Sequence, residues 1–113
     1  MLRVKTLVTA AALALAAPAA IAAEHTIMLM GDAYFPEVTY VDQGDNIRFV
    51  NVTETPQSAT ATDGSWSSGV LSANESFVLQ LDGDTVLTFA SDNNASMAGA
   101  ISYEPAPLVS SGD

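Results

Sequence analysis

The fold is decided by one stretch near the end of the chain, Leu87-Thr88-Phe89-Ala90-Ser91-Asp92-Asn93-Asn94-Ala95-Ser96-Met97-Ala98-Gly99-Ala100-Ile101. Leu87 and Phe89 alternate with other residues, and this period of two predicts a strand with both side chains on one face. Residues 91–94 are polar and predict a loop, and a second strand is expected after Gly99. The stretch therefore predicts two strands joined by a polar loop.

The rest of the chain repeats this pattern of short strands and turns. Further strands are predicted at residues 25–30, 38–41, 47–51, 58–62 and 77–81. Pro36 predicts an edge strand or a strand start nearby, and Asp82-Gly83 predicts a hairpin turn. Seven or so short strands without a helical period predict an all-β fold, a sandwich or a barrel.

Residues 1–22 have the pattern of a secretory signal peptide. Arg3 and Lys5 form a cationic start, residues 7–17 are apolar apart from Thr9, and Ala20-Ile21-Ala22 is a small-residue cleavage signal. The apolar run is shorter than the roughly 20 residues that a membrane-spanning helix needs. We expect cleavage before Ala23, with cleavage one residue later as the second choice. The protein is then periplasmic or secreted by a bacterium.

The mature chain is strongly acidic. It keeps Arg48 as its one Lys or Arg residue against 13 acids, a formal charge of −12. This charge excludes nucleic acid as a partner and argues against binding to an anionic membrane after signal cleavage. It suits a basic protein partner, although the simpler interpretation, which we favour, is solubility or a saline habitat. We expect one monomeric domain at residues 23–104 and a loose tail at residues 105–113, without disulfides because the chain has no Cys.

Several motifs, taken in order, resemble those of the cupredoxins, the family of plastocyanin, amicyanin and pseudoazurin. The matching segments are Tyr34-x-Pro36, Gly44-Asp45-Asn46-Ile47, Asp63-Gly64-Ser65-Trp66 and Ser76-Phe77. The opening stretch is similar to the family's last ligand loop, aromatic-x-Cys-x-x-His-x-x-Met-x-Gly. The resemblance covers nearly the whole mature domain and implies a Greek-key β-sandwich or barrel of about seven to eight strands.

The resemblance also implies which residues stand at the copper-ligand positions of the family. Gln57 stands at the first His, Ser91 at the Cys and Asn94 at the second His, while Met97 matches the axial Met. A type 1 copper site needs two imidazoles and a thiolate beside a weak axial ligand. We therefore expect no copper and no other cofactor at this degenerate site. Gln57, Ser91 and Asn94 are expected to bond to one another or to backbone, with Met97 packed in the core.

Few other residues suit catalysis. The mature chain has no Cys, no Lys and one His, which excludes Ser–His–Asp and Cys–His arrangements. The acid pairs Asp42/Asp45 and Asp82/Asp84 flank glycines in turns, where Asp is favoured for local hydrogen bonds. We expect no catalytic residue, and we therefore expect that the protein is not an enzyme.

A different metal site is conceivable at the mature amino terminus. If cleavage falls before Ala23, then Ala23, Glu24 and His25 supply a free amine, two backbone amides and an imidazole. Such a square-planar nitrogen set suits Cu(II) or Ni(II). The alternative is that His25 only opens the first strand.

These observations predict an exported cupredoxin-like protein that has lost its copper site and acts as a periplasmic binding or interaction module. Its partner is expected to be an unidentified periplasmic protein. The resemblance to the cupredoxins implies a docking face at the apolar end around the last ligand loop, and the candidates for it are Pro56, Ala95, Met97 and Ala98. Two alternatives stay open. One is a copper-binding electron-transfer protein of the plastocyanin or pseudoazurin type with unusual ligands. The other is Cu(II) capture through the amino terminus.

Overall fold

The computed structural model describes residues 22–108. Most of the predicted signal peptide (residues 1–21) and the end of the predicted tail (residues 109–113) lie outside the described residues. Within them the chain forms eight strands: β1 Glu24–Leu29, β2 Tyr34–Phe35, β3 Val38–Tyr40, β4 Asn46–Asn51, β5 Thr60–Ala61, β6 Ser76–Gln80, β7 Thr88–Ser91 and β8 Asn94–Ser102. No helix long and apolar enough to cross a membrane occurs in residues 22–108.

The strands form two four-stranded sheets with the orders β2-β1-β4-β6 and β3-β8-β7-β5. The pairs β1/β4 and β3/β8 are parallel, and the other pairs are antiparallel. The two sheets pack into a β-sandwich, so the predicted all-β fold is confirmed. The short strand β2 lies at a sheet edge and ends at Phe35, directly before Pro36, which agrees with the edge that this proline predicts.

Alternating side chains build the core. Ile27 and Leu29 on β1, and Ile47 and Phe49 on β4, are all fully buried, as the period of two in these strands predicts. Burial of each such side chain stabilises the fold by roughly 1.5–3 kcal/mol. The sandwich therefore holds together by packing between its sheets.

An aromatic cluster joins the two sheets. Phe89 on β7 packs against Tyr34, with ring centroids 4.8 Å apart, and against Phe49 at 5.3 Å. Trp66 lies 5.6 Å from Phe49 and 5.8 Å from Phe89, and its Nε1 donates to the carbonyl oxygen of Val86 at 2.9 Å. Trp66 is therefore a half-buried part of the core.

The prediction of a hairpin at Asp82-Gly83 is wrong. Strand β6 before this turn pairs with β4, whereas β7 after it pairs with β5 and β8 in the other sheet. The turn is closed locally, because the Asp82 carboxylate accepts hydrogen bonds from Asp84 N and Thr85 Oγ1. An Asp-Gly turn signal is local and does not specify whether the flanking strands pair with each other.

Candidate functional site

The predicted ligand loop is a tight hairpin between β7 and β8. Ser91 lies opposite Asn94, and only two residues form the turn between them. The prediction that the second strand begins after Gly99 is therefore wrong, because β8 begins at Asn94. The register shifts beyond Ala90, which lies opposite Ala98, so that residues 95–97 form a bulge. A bulge of this kind re-aims the side chains that it carries.

Gly99 fixes the position of this hairpin against the core. It lies opposite Phe89 in the β7/β8 ladder. A Cβ atom at Gly99 would lie 2.6 Å from Phe89 Cζ and 3.2 Å from the carbonyl oxygen of Glu37. Only glycine fits here, so the close approach of the Phe89 ring explains the glycine in this motif.

Gln57 is buried just before β5, and its backbone forms an antiparallel bridge with Leu71. Its side-chain nitrogen Nε2 donates to Thr55 Oγ1 at 3.0 Å and to Thr53 Oγ1 at 3.3 Å. The amide of Gln57 is therefore held by the loop that immediately precedes it.

The other three predicted positions lie in the hairpin. Ser91 is buried, and its Oγ donates to Asn93 Oδ1 at 2.9 Å. Asn94 is half-buried, and its Oδ1 accepts from Ser96 Oγ at 2.7 Å. Met97, at the end of the bulge, is 1% exposed and belongs to the core cluster.

The two segments that carry these positions meet. Asp92 N donates to Ser58 Oγ at 3.0 Å, and Tyr34 Oη donates to the carbonyl oxygen of Ser58 at 2.6 Å. Burial, and to a smaller degree the Asp92 carboxylate, raises the pKa of Tyr34 far above its usual range. An open cleft of about 210 Å³ at this junction, called the hairpin cleft below, is lined by Pro56, Gln57, Ser58, Val70, Asp92 and Asn93.

A second group of polar contacts surrounds Asp45, which directly precedes β4 and lies beside the start of β1. The Asp45 carboxylate accepts hydrogen bonds from the backbone nitrogens of Ala23 and Asp42, each at 3.0 Å, and lies 2.9 Å from His25 Nε2. The hydrogen bond with His25, followed by those from Asp42 N and Ala23 N, lowers the pKa of Asp45 to about 2. Glu24 points to the other side, where it pairs with Arg48 Nη2 at 3.1 Å.

The comparisons with known proteins agree with this architecture. No protein-family model and no curated protein matches the chain. Among solved structures, the Cu-containing nitrite reductase from Thermus scotoductus SA-01 matches 83% of this chain with a TM-score of 0.65 and 19% identity. This chain spans only 25% of that enzyme's length.

Two structures of oxidised amicyanin mutants match as well. A methionine-to-leucine mutant has a TM-score of 0.62 and 11% identity, over 68% of this chain and 78% of that one. A proline-to-glycine mutant has a TM-score of 0.63 and 13% identity, over 71% of this chain and 87% of that one. The fold is cupredoxin-like. This confirms the fold that the sequence motifs implied.

Within the cupredoxin-like fold, one prediction about the ligand positions is wrong. Among the described residues 22–108, the side chains of Gln57, Ser91 and Asn94 do not bond to one another or to backbone. Each pairs with a side chain in its own segment instead. The reason is local geometry, since hydroxyls and amides two residues away are already in reach in tight turns.

The apolar residues predicted for the docking face differ in their exposure to solvent. Pro56, Ala95 and Ala98 are exposed, whereas Met97 is buried and contributes nothing to the surface. Val70, with 71% of its surface exposed, lies in the same cleft as Pro56. Sequence reasoning missed Val70, because nothing in its local pattern places it beside the hairpin.

Sequence reasoning also missed Asp45 as a centre of contacts. The Gly44-Asp45 motif marked the position, but Ala23 and His25 lie 22 and 20 residues away from Asp45. The backbone nitrogen of Ala23 and the imidazole of His25, two members of the candidate Cu(II) set, are thus both at the Asp45 carboxylate. Within residues 22–108, no group of three or more His, Cys, Asp or Glu side chains has a geometry that could hold a metal ion.

Proposed function

We propose that the chain is an exported cupredoxin-like protein that has lost its type 1 copper site and acts in the periplasm as a binding module. The observation that carries this proposal is the donor set at Gln57, Ser91 and Asn94. Each of these side chains is engaged in a hydrogen bond within its own segment. We further propose that it has no enzymatic role and works as a monomer without a cofactor.

The chemistry of these donors does not fit a type 1 copper ion. A serine hydroxyl is neutral and hard, whereas the site needs a soft thiolate. The amides of Gln57 and Asn94 are neutral oxygen donors and replace imidazoles poorly. Met97 supplies only the long, weak axial contact, which does not hold copper by itself.

A binding role is supported by the surface around the hairpin cleft. Pro56 and Val70 form an exposed apolar pair, and Asp92 places a carboxylate beside them. A partner that inserts an apolar side chain and sets a basic residue against Asp92 would complement this surface. The formal charge of −12 on the mature chain also attracts a basic partner before contact is made.

Copper loading tests the first part of the proposal. Purified mature protein mixed with Cu(II) is expected to show no intense visible absorption from thiolate-to-copper charge transfer, because the chain contains no thiolate. Tight uptake of one Cu(II) that is lost with Gln57→Ala would contradict the proposal and favour the electron-transfer alternative.

Affinity capture from periplasmic extract tests the binding role. A specific partner should be retained by the parent protein and lost with Val70→Asp, which places a charge in the hairpin cleft. The matched control is Val78→Asp on β6, since Val78 is also exposed but lies outside that cleft. Equal capture by all three proteins would argue against a docking role for the cleft.

A further inference from the structure

The hydrogen bond from Ala23 N to Asp45 Oδ1 involves the residue at which the mature chain is expected to begin. The carboxylate reaches over 22 residues to a backbone nitrogen just before β1 begins, at a distance of 3.0 Å. The same carboxylate is nearly buried, with 10% of its side-chain surface exposed. Ala22 and Ala23 are both exposed, so the peptide bond between them lies at the surface.

The sequence independently predicts that the Ala22–Ala23 peptide bond is cleaved. Ala20-Ile21-Ala22 is the small-residue signal that predicts cleavage before Ala23. Hydrolysis of the Ala22–Ala23 bond by a signal peptidase consumes one water molecule. It leaves a carboxylate on Ala22 and an α-amine on Ala23, which takes up a proton. The nitrogen that contacts Asp45 would then be the new terminal ammonium.

The surroundings of Asp45 suit a cation. An open cleft of about 410 Å³ borders it, called the amino-terminal cleft below, and is lined by Ala23, His25, Tyr40, Val41, Asp42, Asp45, Tyr103, Glu104, Pro105 and Ala106. Three carboxylates and two tyrosines thus face this space, with His25 as the one basic side chain. No Lys or Arg of residues 22–108 lines it, and Arg48 is paired with Glu24 instead.

We propose that the amino-terminal cleft is a receptor for the protein's own processed amino terminus, with Asp45 as its anion. Before signal cleavage only the acceptor of the bond at Ala23 is charged, and cleavage turns the donor into an ammonium, which adds the attraction of two opposite charges to the hydrogen bond. The processed chain is therefore more stable than its precursor. This inference rests on the export part of the proposed function and is independent of the hairpin cleft.

The proposal also bears on copper capture at the amino terminus. A square-planar set would need the α-amine of Ala23 and the imidazole of His25 at the metal. In the folded protein both nitrogens are bound to Asp45. Cu(II) chelated by the α-amine and by His25 Nδ1 would have to displace Ala23 N from Asp45, so folding weakens the site that the free sequence Ala23-Glu24-His25 offers.

Three chains that begin at Ala22, Ala23 or Glu24 test the receptor. At position 23 they present an amide, an ammonium or nothing to Asp45, and each chain carries its terminal ammonium on its own first residue. In urea unfolding at neutral pH, the equilibrium constant for unfolding should rise by about fivefold from the Ala23 chain to the Ala22 chain. It should rise further in the Glu24 chain. Equal constants for the Ala22 and Ala23 chains would overturn the proposal.

The same chains carrying Asp45→Asn show whether the effect depends on Asp45, since this substitution removes the negative charge and keeps the shape of the side chain. The difference between the Ala22 and Ala23 chains should vanish in this background. A difference that persists would assign the effect to another group and overturn the proposal.

A copper competition keeps the proposal testable where Asp45→Asn does not fold. A synthetic peptide Ala-Glu-His-Thr, with the sequence of residues 23–26, should withdraw Cu(II) from the folded Ala23 chain. Equal sharing of Cu(II) between peptide and protein would mean that the terminus is free, against the proposal.

Mass spectrometry of the exported protein separates this inference from the proposed function. A first residue of Ala23 is the expected result. An exported protein that begins elsewhere overturns the receptor and leaves the binding role intact. A chain that keeps residues 1–22 would also overturn the receptor, whereas a chain recovered only from the cytoplasm would contradict export itself.

Discussion

At the residue scale, Asp45 should control the acid stability of the fold. Its pKa is lowered from 3.8 to about 2 in the folded protein, chiefly by the hydrogen bond with His25. A carboxyl group with a depressed folded pKa contributes stability that is present above its unfolded pKa. This contribution is lost as the pH falls from about 4 toward 2.

The measurement is the urea midpoint across this acid range, for the parent and for Asp45→Asn. The parent should lose stability steeply on acidification, and the variant should start lower at neutral pH and lose less. Parallel pH profiles for the two proteins would show that other carboxyl groups dominate acid unfolding.

Thr39 is a second residue whose substitution has a definite expected sign. Its hydroxyl is buried in β3 without a hydrogen-bond partner among residues 22–108. Because a buried polar group without a partner is costly, Thr39→Val should raise the free energy of unfolding by about 1 kcal/mol. Thr62→Val is the control, since Thr62 is exposed and bonds to Thr88. A destabilised Thr39→Val variant would reveal a partner for the hydroxyl, such as a bound water.

At the scale of elements, Gly99 should limit how closely the β7/β8 hairpin packs. In Gly99→Ala the new methyl group would lie 2.6 Å from Phe89 Cζ, so the ring or the strand must shift. We expect a loss of about 1–3 kcal/mol, the usual cost of overpacking a core. Gly31→Ala is the matched control, because its Cβ would meet nothing within 4 Å. Equal stability of the two variants in urea would show that the hairpin yields easily.

A triple variant of the β7/β8 hairpin and the Gln57 segment would test whether the family's ligand positions still surround one centre. The triple variant Gln57→His, Ser91→Cys, Asn94→His restores two imidazoles and a thiolate near Met97. It loses the hydrogen bonds of the parent side chains, so without metal it should be less stable by about 1–3 kcal/mol. Added Cu(II) should recover stability by mass action and give an intense visible band.

The double variant Gln57→His, Asn94→His is the control for that experiment, because it lacks the thiolate and should stay colourless. A folded triple variant that takes up no copper would show that the tight turn at residues 92–93 keeps the new ligands apart.

The elements also show which features the sequence could predict. Ile27 and Leu29 revealed β1, and Pro36 revealed a sheet edge, because burial alternation and the missing N–H of proline are local properties. The prediction of a hairpin at Asp82-Gly83 is wrong because the strands with which β6 and β7 pair are distant in sequence. A local turn signal cannot show whether β6 and β7 belong to the same sheet. The early start of β8 at Asn94 escaped prediction because polar residues continue into that strand.

The candidate sites divide in the same way. The positions of Gln57 and Ser91 followed from matched motifs, and their segments do meet at Ser58 and Asp92. Their hydrogen-bond partners did not follow, since side-chain pairing depends on the turn geometry. The Asp45 contacts join residues 20 or more positions apart, and no local pattern indicates them.

At the scale of the whole molecule, net charge should set the response to salt. The mature chain carries a formal charge of −12, and like charges repel each other more in the compact state than in the unfolded chain. Arg48 and Glu24 form an exposed pair that contributes little to stability, so salt has little attraction to weaken there. Added sodium chloride should therefore raise the free energy of unfolding.

The Debye length is about 10 Å at 0.1 M salt and about 3 Å at 1 M. The increase in the free energy of unfolding should level off once this length is shorter than the spacing of the surface carboxylates. Potassium chloride should act equally, because screening depends on ionic strength and not on the cation. Arg48→Gln, which removes the one remaining Arg or Lys, should steepen the dependence in thermal unfolding. A protein that loses stability with salt would show that attractive pairs, the one between His25 and Asp45 among them, outweigh the repulsion.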